Sequence, residues 1–472
     1  MSSSRQEGPG LEVPGLYRLL REIRRAGKEG PPAAASRRKE RLRRLVGYAR
    51  DRSPFYRQLY AALPADIPDL RTLPPVSKRS LSANFDAWAT DTAVTRETAE
   101  AFTADPSRIG QLYLGRYVAF STSGTTGSPA VLLQDMGAMS VYLALLLARR
   151  LPTLISPGVF GPFAGNRGRT ATIVATGGHF ASSVVDALAR SAYPRLYRRN
   201  RTFSLMEPIP GLVDALNGFR PAVLGSYPTA LAVLAEEQAA GRLRIAPAIV
   251  LSGAERLSAP LAKRIAASFR CPVRDTYAAS EFMGIAFDCR HGRLHVNADW
   301  VILEPVDAGG APVPPGQPSH TVLLTNLANL VQPLIRYDLG DSVTMLPGEC
   351  PCGSRLPGIR PEGRRDETLH LEAPGGGSRP LLPLVLATVV EEARGVMTYQ
   401  VLQAGPRRLL VRIAEAPGHD RPEVCSEVLR RLAGYLASQG LASMSVDLSE
   451  ERPHSETAGG KLRQFFVARD GS

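Results

Sequence analysis

Leu16, Leu19, Leu20 and Ile23 fall at i, i+3, i+4 and i+7, and Leu42, Leu45, Val46 and Ala49 repeat that spacing. The spacing predicts two amphipathic helices, broken apart by Gly30-Pro31-Pro32 and followed by a turn at Ser53-Pro54-Phe55-Tyr56. From about 115 to 345, apolar runs alternate with helical patterns. Ala171–Ala175, Ala222–Leu224, Ala248–Leu251 and Val322–Leu324 read as strands, and Thr229–Ala239 and Ala259–Ser268 as helices. Such alternation predicts an α/β architecture with largely parallel sheets. Residues 308–318 and 346–365 are rich in turn formers. Beyond them the pattern changes: Thr398–Leu402, Leu409–Ile413 and Ser443–Leu448 read as strands, and Pro422–Ser438 as a helix ended by Gly440. That is a small α+β unit with a polar tail from Pro453 to Lys461.

With 472 residues, 44% of them apolar, several domains can each bury a core. The longest clean apolar run, Val141 to Ala148, is closed by Arg149 and Arg150, so no membrane span is expected. The start MSSSRQEGPG has no apolar h-region, so no secretory signal is expected. Five cysteines do not make a disulfide scaffold, and a reducing cytoplasm is the expected compartment. The net charge of +13 is uneven: residues 1–60 hold 15 Lys/Arg and 6 Asp/Glu, leaving +4 for the rest. A basic helical arm of this kind is either a solvated helical face or a contact for nucleic acid or membrane. It has no aromatic–basic alternation and no reader motif, which argues against nucleic acid.

The most informative segment is Ser121-Thr-Ser-Gly-Thr-Thr-Gly-Ser-Pro129, after the strand-like Tyr117–Phe120. Its glycines let backbone N–H groups approach a phosphate and its hydroxyls donate further hydrogen bonds. It is not a GxxxxGK[ST] loop. Cysteines and histidines form a second constellation. Cys350-Pro-Cys352-Gly lies about 60 residues after Cys289-Arg-His291-Gly-Arg-Leu-His295. Cys289, His295, Cys350 and Cys352 satisfy tetrahedral zinc chemistry, although the spacing is no standard finger. Buried free thiols and a redox pair are the other readings, and His291 is the alternative histidine.

The phosphate-loop string resembles that of the adenylate-forming superfamily, which includes acyl-CoA synthetases, adenylation domains and luciferases. Further segments resemble its motifs in the same order: Ser252-Gly-Ala-Glu255, Thr276-Tyr-Ala-Ala-Ser-Glu281, Arg336-Tyr-Asp-Leu-Gly-Asp341, Gly363-Arg-Arg-Asp366 and Gly459-Gly-Lys-Leu-Arg463. Tyr48–Tyr56 and Leu73–Lys78 resemble the phenylacetate–CoA ligase-like branch. The resemblance covers about residues 40–465. It implies a large N-terminal domain (1–365, with 1–60 as the basic helical arm) of α/β subdomains with mixed and parallel sheets. A small mobile α+β C-terminal domain (366–472) would carry the catalytic lysine.

The implied chemistry is attack of a carboxylate on ATP to give acyl-AMP and pyrophosphate, then transfer to a thiol, foremost coenzyme A. A carrier-protein thiol and an amine are alternative acceptors. A nucleotide-binding relic without turnover is a further reading. The resemblance assigns Lys461 to the carboxylate and α-phosphate, Arg364 to the ribose or phosphate side and Asp366 to the hinge. Glu281 would hold Mg²⁺. Ser123, Gly124, Thr125, Thr126 and Gly127 would cradle the phosphates of ATP. Ser252, Gly253, Ala254, Glu255, Thr276, Tyr277, Ser280 and Asp341 would hold the nucleoside. His179, Phe180 and Tyr227 would line the pocket for an aromatic or heteroaromatic acid. The branch also implies a structural zinc. Ser128 departs from the usual loop lysine, Ala278 from a glycine and Leu339 from a threonine. Oligomeric state is open, with a dimer compatible.

Overall fold

The computed structural model describes residues 15–468 except 27–28, 30, 65–68, 122–129, 155–156, 175, 177, 193, 256, 258, 364–368, 374–376, 382–385, 387–388, 391, 416–417 and 455–463. Both predicted N-terminal helices form, α1 over Leu16–Ala26 and α2 over Pro31–Arg52. Pro31 opens α2, a position where its missing N–H costs no bond. The expected turn at Ser53 is instead a helix start. The Ser53 hydroxyl accepts the Tyr56 N–H at 3.3 Å and Pro54 occupies the first turn of the helix Pro54–Leu59.

α1 is not a free arm. Leu19, Ile23 and Ala26 are buried, and the helix packs on Met136–Leu145 and the π-helical turn Leu146–Arg150 that follows it. Arg149 pairs with Asp299 at 2.7 and 2.9 Å, and Arg41 of α2 lies 3.5 Å from the Trp300 ring centroid. Part of the N-terminal positive charge therefore ties the arm to the body.

Strands β1 (Tyr117–Ser121) and β2 (Val131–Asp135) form an antiparallel pair around the phosphate-loop segment. The central sheet contains β3 (Thr170–Val174), β4 (Asn200–Ser204), β5 (Val223–Ser226), β6 (Ile249–Gly253), β7 (Val273–Ala279), β8 (Phe282–Asp288) and β9 (Leu294–Val296). The strand-like runs near 171, 222 and 248 thus match β3, β5 and β6. β10 (Val301–Val306), β11 (Thr321–Asn326) and β12 (Tyr337–Asp338) form a separate three-stranded sheet. β13 (Ser342–Leu346) and β14 (Gly358–Gly363) complete the central sheet, in the order β13-β14-β9-β8-β7-β6-β5-β3-β4.

Its strands β4, β3, β5, β6 and β7 are parallel, whereas the β8 side is antiparallel. The sheet is therefore mixed. The direction reverses at Ser280-Glu281, a two-residue turn fixed by the pairing of Ala279 with Phe282.

β15 (Leu369–Glu372) and β16 (Ser378–Leu381) pair with each other. β17 (Val396–Gly405), β18 (Arg408–Glu415), β19 (Ser445–Leu448) and β20 (Phe465–Val467) form a four-stranded sheet in the order β19-β18-β17-β20. The helix Arg421–Ser438 packs on it through Val424, Val428, Leu432 and Leu436, a one-sided apolar stripe. This is the small α+β unit expected from the sequence.

Candidate adenylate and metal sites

In a parallel sheet, loops gather at the carboxyl ends of the strands, where open α/β sheets bind ligands. The motif residues converge at that edge. His179 and Phe180 follow β3, Tyr227 follows β5, Ser252 and Gly253 end β6 with Ala254 and Glu255 beyond, and Thr276 and Tyr277 lie within β7. Ala254 sits at φ +68°, a left-handed conformation that turns the chain sharply off β6. A Cβ at Gly253 would come within 3.3 Å of the Thr276 carbonyl, so glycine lets β6 approach the Tyr277 strand closely.

Tyr277 donates its hydroxyl to Asp341 Oδ2 at 2.9 Å, bringing two separately read motifs together. Asp341 is positioned by a folded turn. Asp338 accepts the Gly340 N–H at 3.0 Å and the Thr321 hydroxyl at 2.5 Å. The preceding Arg336 is buried, at φ +51°, with its guanidinium 3.1 Å from both Glu304 Oε2 and the Arg71 carbonyl. Val76 pairs with this segment through Val76 N to Arg336 O at 3.0 Å and Asp338 N to Val76 O at 2.8 Å. The Leu73–Lys78 segment thereby braces the Asp341 turn.

The turn carrying Glu281 is held from several directions. Gln134 of β2 donates to the Ser280 carbonyl at 3.0 Å, and Asn326 of β11 donates to the Glu281 carbonyl at 2.8 Å. Tyr337 donates to Glu281 Oε1 at 3.0 Å. Tyr142 joins the first two, donating to Gln134 Oε1 and accepting from Asn326 Nδ2, both at 2.9 Å. Gln134, Tyr142 and Asn326 are all buried. The sequence reading missed this network, because isolated Gln, Tyr and Asn carry no motif; buried amides in apolar strands were the available signal.

Two further residues went unread. Asp275, two positions before Tyr277, has a carboxyl that burial pushes up to about 6. Arg150, in the π-helical turn, forms a buried ion pair with Asp288.

His179 is 1% exposed and packs on Phe102, with ring centroids 5.5 Å apart. Its carbonyl accepts the Ser121 N–H at 2.8 Å, which ties the base of the phosphate-loop segment to the loop after β3. Burial pushes its imidazole down. Phe180 is half-buried and Tyr227 is buried in the apolar core around β5. Ser123, Gly124, Thr125, Thr126, Gly127, Arg364, Asp366 and Lys461 lie outside the described residues.

Cys289, His295, Cys350 and Cys352 converge, with their ligand atoms all within 4.8 Å of one another. Cys289 Sγ and Cys350 Sγ are 3.7 Å apart, and Cys352 Sγ is 3.3 Å from His295 Nε2. Tetrahedral zinc with bonds of about 2.3 Å to sulfur places two thiolates about 3.8 Å apart. His295 Nδ1 lies 3.0 Å from the Leu356 carbonyl, which can only accept. Nδ1 therefore carries the proton and Nε2 offers its lone pair to the cluster. Burial pushes this imidazole down, favouring the neutral, ligating form.

Two similar turns present the thiols. Gly292 N donates to the Cys289 carbonyl at 2.8 Å, and Gly353 N to the Cys350 carbonyl at 3.0 Å. Arg293 braces the second turn through the Leu346 and Gly348 carbonyls at 2.8 and 2.9 Å. A Cβ at Gly358 would lie 2.0 Å from Arg293 Nε, so any side chain there would displace the Arg293 guanidinium from this turn. His291 is not part of the cluster.

No family model matches the chain. A phenylacetate-coenzyme A ligase of Thermus thermophilus is 26% identical over 372 residues, spanning 75% of this chain and 74% of the relative. Protein CapK of Staphylococcus aureus is 27% identical over 135 residues, 28% of each chain. A 2-hydroxyisobutyryl-CoA ligase, solved with 2-HIB-AMP and CoA in the thioesterification state, superposes with a TM-score of 0.58 at 19% identity. That match covers 94% of this chain and 92% of the other. The same enzyme in its postadenylation state gives 0.55 at 18% identity. The fold is that of the 2-hydroxyisobutyryl-CoA ligase, and the sequence is similar to that of the phenylacetate-coenzyme A ligase.

Proposed function

We propose that the protein activates a carboxylic acid with ATP, releasing pyrophosphate, and transfers the acyl group from acyl-AMP to the thiol of coenzyme A. The observation that carries this reading is the meeting of the Tyr277–Glu281 turn with Asp341 at the carboxyl edge of the parallel strands. Asp341 can accept both ribose hydroxyls, and Tyr277 can stack on adenine while its hydroxyl holds Asp341 in place. Glu281, anchored through its own carbonyl and Oε1, offers a carboxylate to Mg²⁺, which would offset phosphate charge when bound. In this reading Lys461 neutralises charge between the carboxylate and the α-phosphate during adenylation, with Arg364 beside the nucleotide. Residues 1–365 form the large domain, and residues 366–472 rotate about Asp366 between the half-reactions.

The three thiols and one imidazole fit a tetrahedral zinc, so Cys289, His295, Cys350 and Cys352 are its ligands in this reading. The ion would be structural. It would join the β8–β9 turn to the loop between β13 and β14, with no part in a reaction step. No single helix among the described residues is long and apolar enough to cross a membrane, and we place the enzyme in the cytoplasm.

The deciding experiment measures pyrophosphate release from ATP and Mg²⁺ across phenylacetate and other aromatic, heteroaromatic and aliphatic acids, with and without CoA. Acid-dependent release that CoA accelerates, and that Lys461→Ala abolishes, supports the proposal. Release with no acid at all, or full release in Lys461→Ala, overturns it.

A further inference from the structure

The motif residues gather at the carboxyl ends of the parallel strands, and the amino ends of those strands form the opposite edge of the sheet. The helix Pro157–Gly165 lies at that opposite edge. Val159 packs on Ala248 and on Ile249, the first residue of β6, and Asn166 Nδ2 donates to the Ala246 carbonyl at 2.7 Å. Val159 alone is buried among residues 158–165. Phe160 is 73% exposed and Phe163 is 40% exposed, and their neighbours on the helix are Gly, Pro and Ala. No charged residue occurs from Leu151 to Asn166. A surface helix ordinarily turns a polar face outward, so an outer face without one polar side chain marks a contact with something other than water.

Positive charge surrounds this helix. From Met136 to Met206 the chain holds nine arginines, no lysine and a single acid, Asp186. Arg149, Arg150 and Arg190 pair with Asp299, Asp288 and Asp186. Arg167, Arg195, Arg198, Arg199 and Arg201 are exposed, and none of them makes an ion pair among the described residues. Backbone bonds gather this charge beside the helix. Thr170 N donates to the Arg199 carbonyl at 2.9 Å and Ala222 N to the Arg169 carbonyl at 2.7 Å, while Arg169 Nε donates to the carbonyl of the exposed Arg220 at 3.2 Å. A basic residue just past a helix complements its dipole, which accounts for Arg167 and Arg220. It accounts neither for Arg201 inside β4 nor for the exposed phenylalanines.

We propose that the amino edge of the central sheet, carrying Phe160 and Phe163 among these arginines, is a peripheral docking surface for anionic membranes. Exposed aromatics beside cations match a bilayer surface: the rings enter the boundary between headgroups and acyl chains, and the guanidinium groups meet lipid phosphates. Nucleic acid would engage the arginines, but a helix of Gly, Pro, Ala and Phe offers bases no hydrogen-bonding side chain. A second copy seated by two-fold symmetry would set arginines against arginines. The candidate adenylate site lies at the far end of strands about 17 Å long, so a docked chain keeps it open to water. The proposal does not depend on the ligase reading.

The test is sedimentation of the full chain with phosphatidylcholine vesicles, with and without phosphatidylserine. The wild-type chain should bind the anionic vesicles about tenfold or more tightly than the neutral ones, and added salt should weaken that binding. Phe160→Asp should lower the affinity about tenfold or more, because a charge replaces the inserted ring. Its melting temperature should stay unchanged, since the side chain it replaces is exposed. Arg198→Glu with Arg199→Glu should remove the preference for phosphatidylserine. Phe160→Trp supplies a second readout. On anionic vesicles its emission should move to the blue and be quenched by brominated lipid, whereas the native Trp88 and Trp300 are buried and should not respond.

Absence of binding to the anionic vesicles overturns the proposal. So does binding that Phe160→Asp leaves unchanged, or a Phe160→Trp emission that brominated lipid does not quench. Retention of random-sequence DNA in place of vesicle binding overturns it in favour of nucleic acid. A dimer that Phe160→Asp dissolves, without vesicle binding, overturns it in favour of a second copy of the chain.

Discussion

Tyr277 reaches Asp341 across 2.9 Å, and this hydrogen bond joins the strand that ends the parallel half of the sheet to the turn that begins β13. The two roles assigned to Asp341, accepting ribose hydroxyls and accepting from Tyr277, need different properties of the carboxylate. Asp341→Asn keeps an acceptor for Tyr277 but loses the charge and one acceptor oxygen. It should lower kcat/KM for ATP in pyrophosphate release by about 10–100-fold, the size of a lost charged hydrogen bond. Tyr277→Phe keeps the ring face and removes only the bond, so its loss should be nearer about fivefold. Equal losses in the two variants would mean that Asp341 serves only to hold Tyr277.

The metal cluster makes a composition prediction that is independent of activity. The purified chain should carry about one zinc per molecule by elemental analysis, and Cys352→Ser should lose most of it. A chelator should lower the melting temperature of the wild-type chain and leave Cys352→Ser unchanged. The Cys289 turn and the Cys350–Cys352 turn lie on different sheet elements, and losing the ion that joins them removes a tether between those elements. A zinc-free chain with an unaltered melting temperature in chelator would rule the site out.

The legibility of this chain followed the kind of signal each part carries. β3, β5 and β6 were visible because buried parallel strands read as continuous apolar runs. The reversal at Ser280-Glu281 was not, because Thr276–Glu281 looks like a polar motif and its hairpin geometry is set by partners on β2 and β11. Ser53 was read as a turn, and its helix start shows only when the Tyr56 N–H is seen to bond its hydroxyl. Cys289, His295, Cys350 and Cys352 were found because ligand chemistry limits residue types whatever the spacing. Gln134, Tyr142 and Asn326 were missed because a neutral buried network has no composition signature; it exists only once three distant elements pack.

Asp275 gives the fold a pH dependence of known sign. Burial raises its carboxyl to about 6 in the folded chain, assisted by the nearby Asp288. Because the folded value lies above the unfolded one, its contribution to stability is fully present below about pH 4 and is lost as pH rises through about 6. The difference of about two pH units corresponds to roughly 3 kcal/mol. Asp275→Asn cannot ionise, so the variant should gain stability relative to wild type between about pH 5 and pH 7.5 in denaturant titrations. A difference that stays constant across that range would show that Asp275 does not titrate there.

The N-terminal arm separates a packing role from a charge role. Its basic residues are numerous, but its position is set by the buried stripe Leu19, Ile23 and Ala26 and by the contacts of Arg41 and Arg149 around Asp299 and Trp300. Leu19 has no exposed surface, so Leu19→Ala should cost about 2–5 kcal/mol, the range for a large-to-small change in a core. Reversing exposed charges on the same helix, as in Arg18→Glu with Arg25→Glu, should change stability by less than about 1 kcal/mol. Retention of random-sequence DNA at low salt should be weak in the wild-type chain. If the charge reversals instead abolished strong, salt-dependent retention and Leu19→Ala left stability untouched, the arm would be a nucleic-acid contact that merely rests on the body.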